Sequence, residues 1–128
     1  MSEVLFSTNT AGSATGLAAT DSSLLAGNVK PSHYQKARIS GTVLIDANAS
    51  AAARTITLKI KQGTTTLQSS TVVTAAGATV GAIKYNQHLE YIGPLNAGGS
   101  ISIQAVGSSA DATNTNLTAT KLYVEGIE

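Results

Sequence analysis

Residues 38–45 read Arg38-Ile39-Ser40-Gly41-Thr42-Val43-Leu44-Ile45, and their alternation decides the fold. Ile39, Gly41, Val43 and Ile45 fall on one side of an extended chain, while Arg38, Ser40, Thr42 and Leu44 fall on the other. Successive side chains of a strand point to opposite faces, so a half-buried strand needs this period of two. The period returns in Ile56, Leu58 and Ile60, interleaved with Thr55, Thr57, Lys59 and Lys61, and again in Ile101, Ile103 and Ala105. Several such runs at short spacing predict an all-β, antiparallel sandwich or jelly roll, which is a scaffold and not an activity.

Working outward, strands are expected near 34–46, 54–62, 65–73, 79–92, 100–106 and 116–126. Gln62-Gly63-Thr64 is a tight hairpin turn, with glycine supplying positive φ. Residues 47–53, ANASAAA, are too short for a stable helix and read as a loop. Residues 93–99, GPLNAGG, form a corner, and 107–114 an exposed loop. Residues 1–33 differ from the 34–128 body. Val4-Leu5-Phe6 is a short apolar patch, followed by the polar STNTAGSATG. Residues 1–16 are expected as a flexible N-terminal arm, with a short edge strand near 23–29 that Pro31 closes.

The 128 residues suffice for one domain that buries roughly two thirds of its unfolded surface. Aromatic residues make up only 4% and tryptophan is absent, so the core must be aliphatic. Charged residues are 12%, about half the usual share. A skin so poor in charge is weakly guarded against association and reads as a surface meant to be partly covered. The net charge of +1 offers no case for nucleic acid or an anionic membrane. No cysteine is present, which excludes a disulfide framework, a thiolate nucleophile and a cysteine-based zinc site. The start, MSEVLFSTNT, lacks a basic region before a long apolar run, so no signal peptide is expected. No stretch approaches the roughly 20 apolar residues of a helical membrane span.

Chemistry-bearing residues are sparse. His33 and His88 stand far apart without metal-ligand spacing. Residues 46–57 begin like a calcium loop, but Ala51 stands where glycine is needed and Thr57 where a bidentate carboxylate is needed. Asp111, Asn114 and Asn116 fit loop capping better than a cation site. His88 and Glu90 share one strand face as an ordinary exposed pair. No nucleophile elbow, phosphate-binding glycine loop or HExxH appears. The expectation is no catalytic residue, no metal and no cofactor. Tyr85 and Tyr91 share a strand face with Gln87 and Leu89 and read as core and rim residues that could also meet a neighbouring subunit, tyrosine being favoured in interfaces.

The order of segments carries a resemblance. Residues 37–45 (ARISGTVLI) are followed by 54–67 (RTITLKIKQGTTTL), a long strand, 94–106 (PLNAGGSISIQAV) and finally 115–127 (TNLTATKLYVEGI). In this order residues 34–128 resemble the C1q/TNF-like jelly-roll domains found among structural proteins of tailed bacteriophages, notably capsid decoration (cement) proteins. The corner before the second-last strand usually ends in Gly-Asp in that family; here it is Gly99-Ser100. The resemblance implies a homo-oligomer, a trimer favoured over a dimer, bound to the major capsid protein on the outer surface of the virion and assembled in the host cytoplasm. Partner-binding candidates are Val4, Leu5 and Phe6 as an anchoring patch, with Tyr85 and Tyr91. The competing functions are a receptor- or glycan-binding tip of a phage tail or fibre, and a bacterial surface protein of the same fold.

Overall fold

A computed structural model describes residues 2–9, 12, 14–30, 33–95 and 99–128, the side chain of residue 112 excepted. Among the described residues nine strands and one helical turn follow in order: β1 (Ser2–Thr8), β2 (Thr15–Leu17), β3 (Ser22–Asn28), β4 (Lys36–Ala47), β5 (Arg54–Gln62), β6 (Thr65–Thr74), α1 (Gly77–Val80), β7 (Ile83–Pro94), β8 (Ser100–Gly107) and β9 (Asp111–Ile127). Among the described residues they form two antiparallel sheets. The first runs β1-β9-β4-β7, with β2 also on β9, and the second runs β3-β8-β5-β6. The chain is an antiparallel jelly-roll β-sandwich.

The alternation of β4 places its odd-numbered side chains between the sheets: Ile39, Val43 and Ile45 are fully buried. Ile56, Leu58 and Ile60 of β5 and Ile101 and Ile103 of β8 meet them from the second sheet. Burying each such side chain contributes about 1.5–3 kcal/mol, which lets a core almost without aromatics hold the layers together.

β9 changes face part-way. Leu117 and Ala119 are buried, and so are Leu122 and Val124. The pairing with β4 explains the switch: Val43 opposes Ala119 but Thr42 opposes Lys121, leaving Thr120 as the extra residue of a bulge. The Thr120 hydroxyl donates to the Thr42 carbonyl at 3.4 Å.

Of the segment expected as a flexible arm, residues 2–8 and 15–16 lie in strands of the first sheet. β1 pairs with the second half of β9, from Ser2 opposite Ile127 to Thr8 opposite Leu122. β2 then pairs with the first half, Thr15 opposite Leu117. The physical reason is inward burial: Leu5 is 6% exposed and Phe6 packs half-buried against the core. The edge strand near 23–29 is β3. The strand expected from residue 79 begins at Ile83, because residues 77–80 close a helical turn whose first N–H, that of Gly77, donates to the Ala51 carbonyl at 2.7 Å. β7 runs to Pro94 and Gly99 adopts φ 94°, while the middle of that corner and Pro31 lie outside the described residues. The loop expected over 107–114 is shorter, since β9 starts at Asp111. The β5–β6 turn is as expected, with Gly63 at φ 59°.

The two flanks of the sandwich differ. On one, the Lys30 N–H donates to the Leu5 carbonyl at 3.2 Å. Glu3 and Lys30 form an ion pair at 2.9 Å, so β1 of one sheet is tied to the end of β3 in the other. On the opposite flank β6 and β7 end their respective sheets side by side.

Candidate functional site

Four large apolar side chains among the described residues are exposed, and three of them, Val73 (73%), Val80 (55%) and Ile92 (52%), belong to the β6–α1–β7 segment. Each stands outside for a local reason. Val73 opposes Thr55 on the outward face of β6, Val80 ends the helical turn, and Ile92 opposes Arg38 on the outward face of β7. Tyr85 and Tyr91 lie on the inward side of β7 with the buried Leu89, packed against the rim of the core. They are rim residues, as their parity predicts. Partial burial pushes the Tyr85 phenol above its ordinary range, and the Tyr91 hydroxyl donates to the Pro94 carbonyl at 2.7 Å.

The anchoring patch expected at residues 4–6 is divided by the fold. Val4 is exposed on the outward face opposite Glu125, whereas Leu5 is in the core and the ring of Phe6 covers Gly27. Leu5 is thereby withdrawn from any docking surface.

The outward face of the first sheet mixes both signs of charge. Arg38 stands opposite Glu125, Asp46 opposite Lys84, and Glu90 beside Ser40. His88 and Glu90 approach to 3.6 Å with both side chains about half exposed. Tyr123 donates its hydroxyl to Glu125 at 3.3 Å; desolvation and that carboxylate raise the phenol's pKa, with Arg38 opposing. The outward face of the second sheet is rich in hydroxyls, and its Lys59 and Lys61 are both held by Asp21, at 3.0 and 3.3 Å. The bond from Lys59 is the main cause that lowers the Asp21 pKa; partial desolvation opposes it and Lys61 assists.

Asp111 organises the start of β9. Its carboxylate accepts the Asn114 N–H and the hydroxyl of the fully buried Thr115, each at 2.9 Å. Burial alone would raise its pKa; those two bonds, the Thr113 N–H and the Arg54 charge outweigh that and lower it. The Asn114 side chain accepts from Asn48 at 3.1 Å. Asp111 thus fixes the turn at the start of β9, and Asn114 ties that turn to the 48–53 loop. Among the described residues no group of three or more His, Asp or Glu could hold a metal ion, and no helix is long and apolar enough to cross a membrane.

One arrangement was not foreseen from sequence. A shallow hollow of about 380 Å³ is lined by His33, Tyr34, Gln35, Lys36, Ile127 and Glu128, with the His33 and Tyr34 rings 4.2 Å apart between centroids. The pairing of Lys36 with Ile127 brings these segments together, and no local sequence signal announces it.

No family model and no curated protein sequence matches the chain. Among solved structures it is similar to a chain of infectious bursal disease virus, Gx strain, at 14% identity and a TM-score of 0.59, covering 99% of this chain. The chain spans 33% of that viral chain's length. It is also similar to a chain from work described as "CBM4 structure and function", at 17% identity and a TM-score of 0.44, covering 80% of this chain and 59% of that one. The viral likeness shows the fold: the same two-layer β architecture on a very different sequence.

Proposed function

We propose that this chain is a non-catalytic structural protein of a virion, a C1q/TNF-like decoration protein that docks as a homo-oligomer on the outer surface of a bacteriophage head and bridges capsid subunits. The observation that carries this reading is the charge-poor two-sheet sandwich itself, which shares its fold with a chain of infectious bursal disease virus and leaves Val73, Val80 and Ile92 exposed. A skin so poor in charge that also exposes large apolar side chains is weakly guarded against association. A protein that binds only the assembled shell stabilises it by mass action. Several modest contacts made at once by an oligomer multiply into firm attachment. Glu3, Asp21 and Asp111 are engaged in ion pairs and turn capping that hold the sandwich together.

Cryo-electron microscopy of the parent particle is the test. Density for this chain on the outside of the head is the expected result. Density confined to the tail, or absent from the particle, would overturn the reading.

A further inference from the structure

Strand β6 ends the second sheet. It pairs with β5 along its length, and among the described residues no strand pairs with its other side. The free N–H and C=O groups of an edge strand are ready to receive another strand, so proteins guard such edges with charge, proline, bulges or shortness. The other edges here are guarded. β1 carries Glu3 and a bulge between Val4 and Phe6, β3 has a bulge between Ser23 and Leu25, and β7 carries Lys84, His88 and Glu90 and ends in Pro94. β6 reads TTLQSSTVVT, without charge or proline. Its bulge falls at Leu67, between the partners of Ile60 and Lys61, which leaves residues 68–74 regular, an edge about 24 Å long.

We propose that a second copy of this chain occupies this edge, β6 pairing antiparallel with β6 about a twofold axis at Thr71, so that two four-stranded sheets become one of eight. The strand is self-complementary in that register. Val73 meets Ser69 of the second copy on the outward face, and Val72 meets Ser70 on the inward face, each residue facing one of matching orientation. Thr71, exposed and outward, meets itself. No like charges oppose one another across the axis. The nearest positive charge in register, Lys59 on β5 opposite Ser69, is paired with Asp21 in each copy. An isologous contact of this kind closes after two copies. Val73, the most exposed large apolar side chain described, gains cover.

Because the chain has no cysteine, a cysteine at the axis gives a clean readout. Opposed residues of an antiparallel pair lie about 4.5–5.5 Å apart between Cα atoms, within disulfide reach. Sedimentation of the full chain over a range of concentrations is expected to show a monomer–dimer equilibrium. Under mild oxidation Thr71→Cys should form covalent dimers much faster than Ala26→Cys, a control on the opposite edge at β3. Thr71→Lys should weaken the dimer at least about tenfold while its thermal midpoint matches the parent's at concentrations where both are monomeric. A chain that remains monomeric, a Thr71→Cys dimer that forms no faster than the control, or a trimer indifferent to Thr71→Lys would each overturn the proposal. Pairing between copies needs no capsid, so these outcomes are separate from attachment to heads, which is scored by microscopy.

Discussion

The ring of Phe6 on β1 covers Gly27 on β3, filling the space that a Cβ at residue 27 would occupy. This contact joins the two sheets at the flank where the Lys30 N–H also reaches the Leu5 carbonyl. Glycine gives the closest packing there, because another strand's aromatic ring lies against the backbone. Gly27→Ala is expected to push the ring outward and cost about 1–3 kcal/mol. Phe6→Ala, which removes a half-buried ring, should cost about 2 kcal/mol. The double variant should lose less than the sum, since both act on one contact. Urea denaturation of the three variants checks this.

Ile103 sits at the centre of the β8 contribution to the core, fully buried. Ile103→Ala should destabilise by about 2–5 kcal/mol through lost burial and a residual cavity. Val73→Ala, at a side chain 73% exposed, should change the stability of the single chain by less than about 0.5 kcal/mol. Chemical denaturation at low protein concentration separates the two.

Removing the Asp111 carboxylate orphans the Asn114 N–H and the buried Thr115 hydroxyl. Asp111→Ala is expected to cost about 1–3 kcal/mol. It should also speed hydrogen exchange at Asn114 relative to the centre of β4, because the start of β9 loses its turn. Amide exchange by NMR provides the measurement.

Asp21 and Asp111 both titrate below the ordinary carboxylate value in the folded chain. A depressed carboxyl stabilises the fold fully above its unfolded pKa, and that contribution disappears as pH falls through the folded value. Stability from these groups should therefore be flat near neutrality and decline below about pH 5. The Asp21→Asn, Asp111→Asn double variant should show a shallower acid decline. Thermal melts across an acid series test the slope.

If the exposed apolar side chains of α1 and β7 touch the shell, a charge at either should weaken attachment without unfolding the chain. Ile92→Asp and Val80→Asp, both at exposed positions, are each expected to reduce occupancy on heads at least about tenfold, with unchanged melting. Co-sedimentation with undecorated heads is the check; full retention of binding by both variants would remove these two side chains from the contact.

The strands were legible wherever one face alternates without interruption. β4, β5 and β8 announce their buried sides directly, and Gly63 announces the turn. β9 was harder, because Leu117 and Ala119 share one parity while Leu122 and Val124 share the other. A local pattern cannot distinguish such a switch from an irregular strand until its partner is known. β1 was misread as a free arm for a related reason. Its burial depends on β9, more than a hundred residues away, and on Gly27, which has no side chain to signal that a ring will cover it. The inward placement of Tyr85 and Tyr91 followed from parity, but that β6 and β7 end their sheets side by side required the sheet order. The hollow beside Lys36 likewise arises only when β4 and β9 are aligned.

The surplus residue at Thr120 has a bearing on how this chain can vary in length. Dropping that position would yield an uninterrupted ladder in which Ala119 and Leu122 keep their inward orientation. Dropping a residue elsewhere in β9 would turn one stretch of the strand inside out unless the irregularity migrated to compensate. Single-residue deletions recovered from a library of this strand should accordingly cluster at position 120.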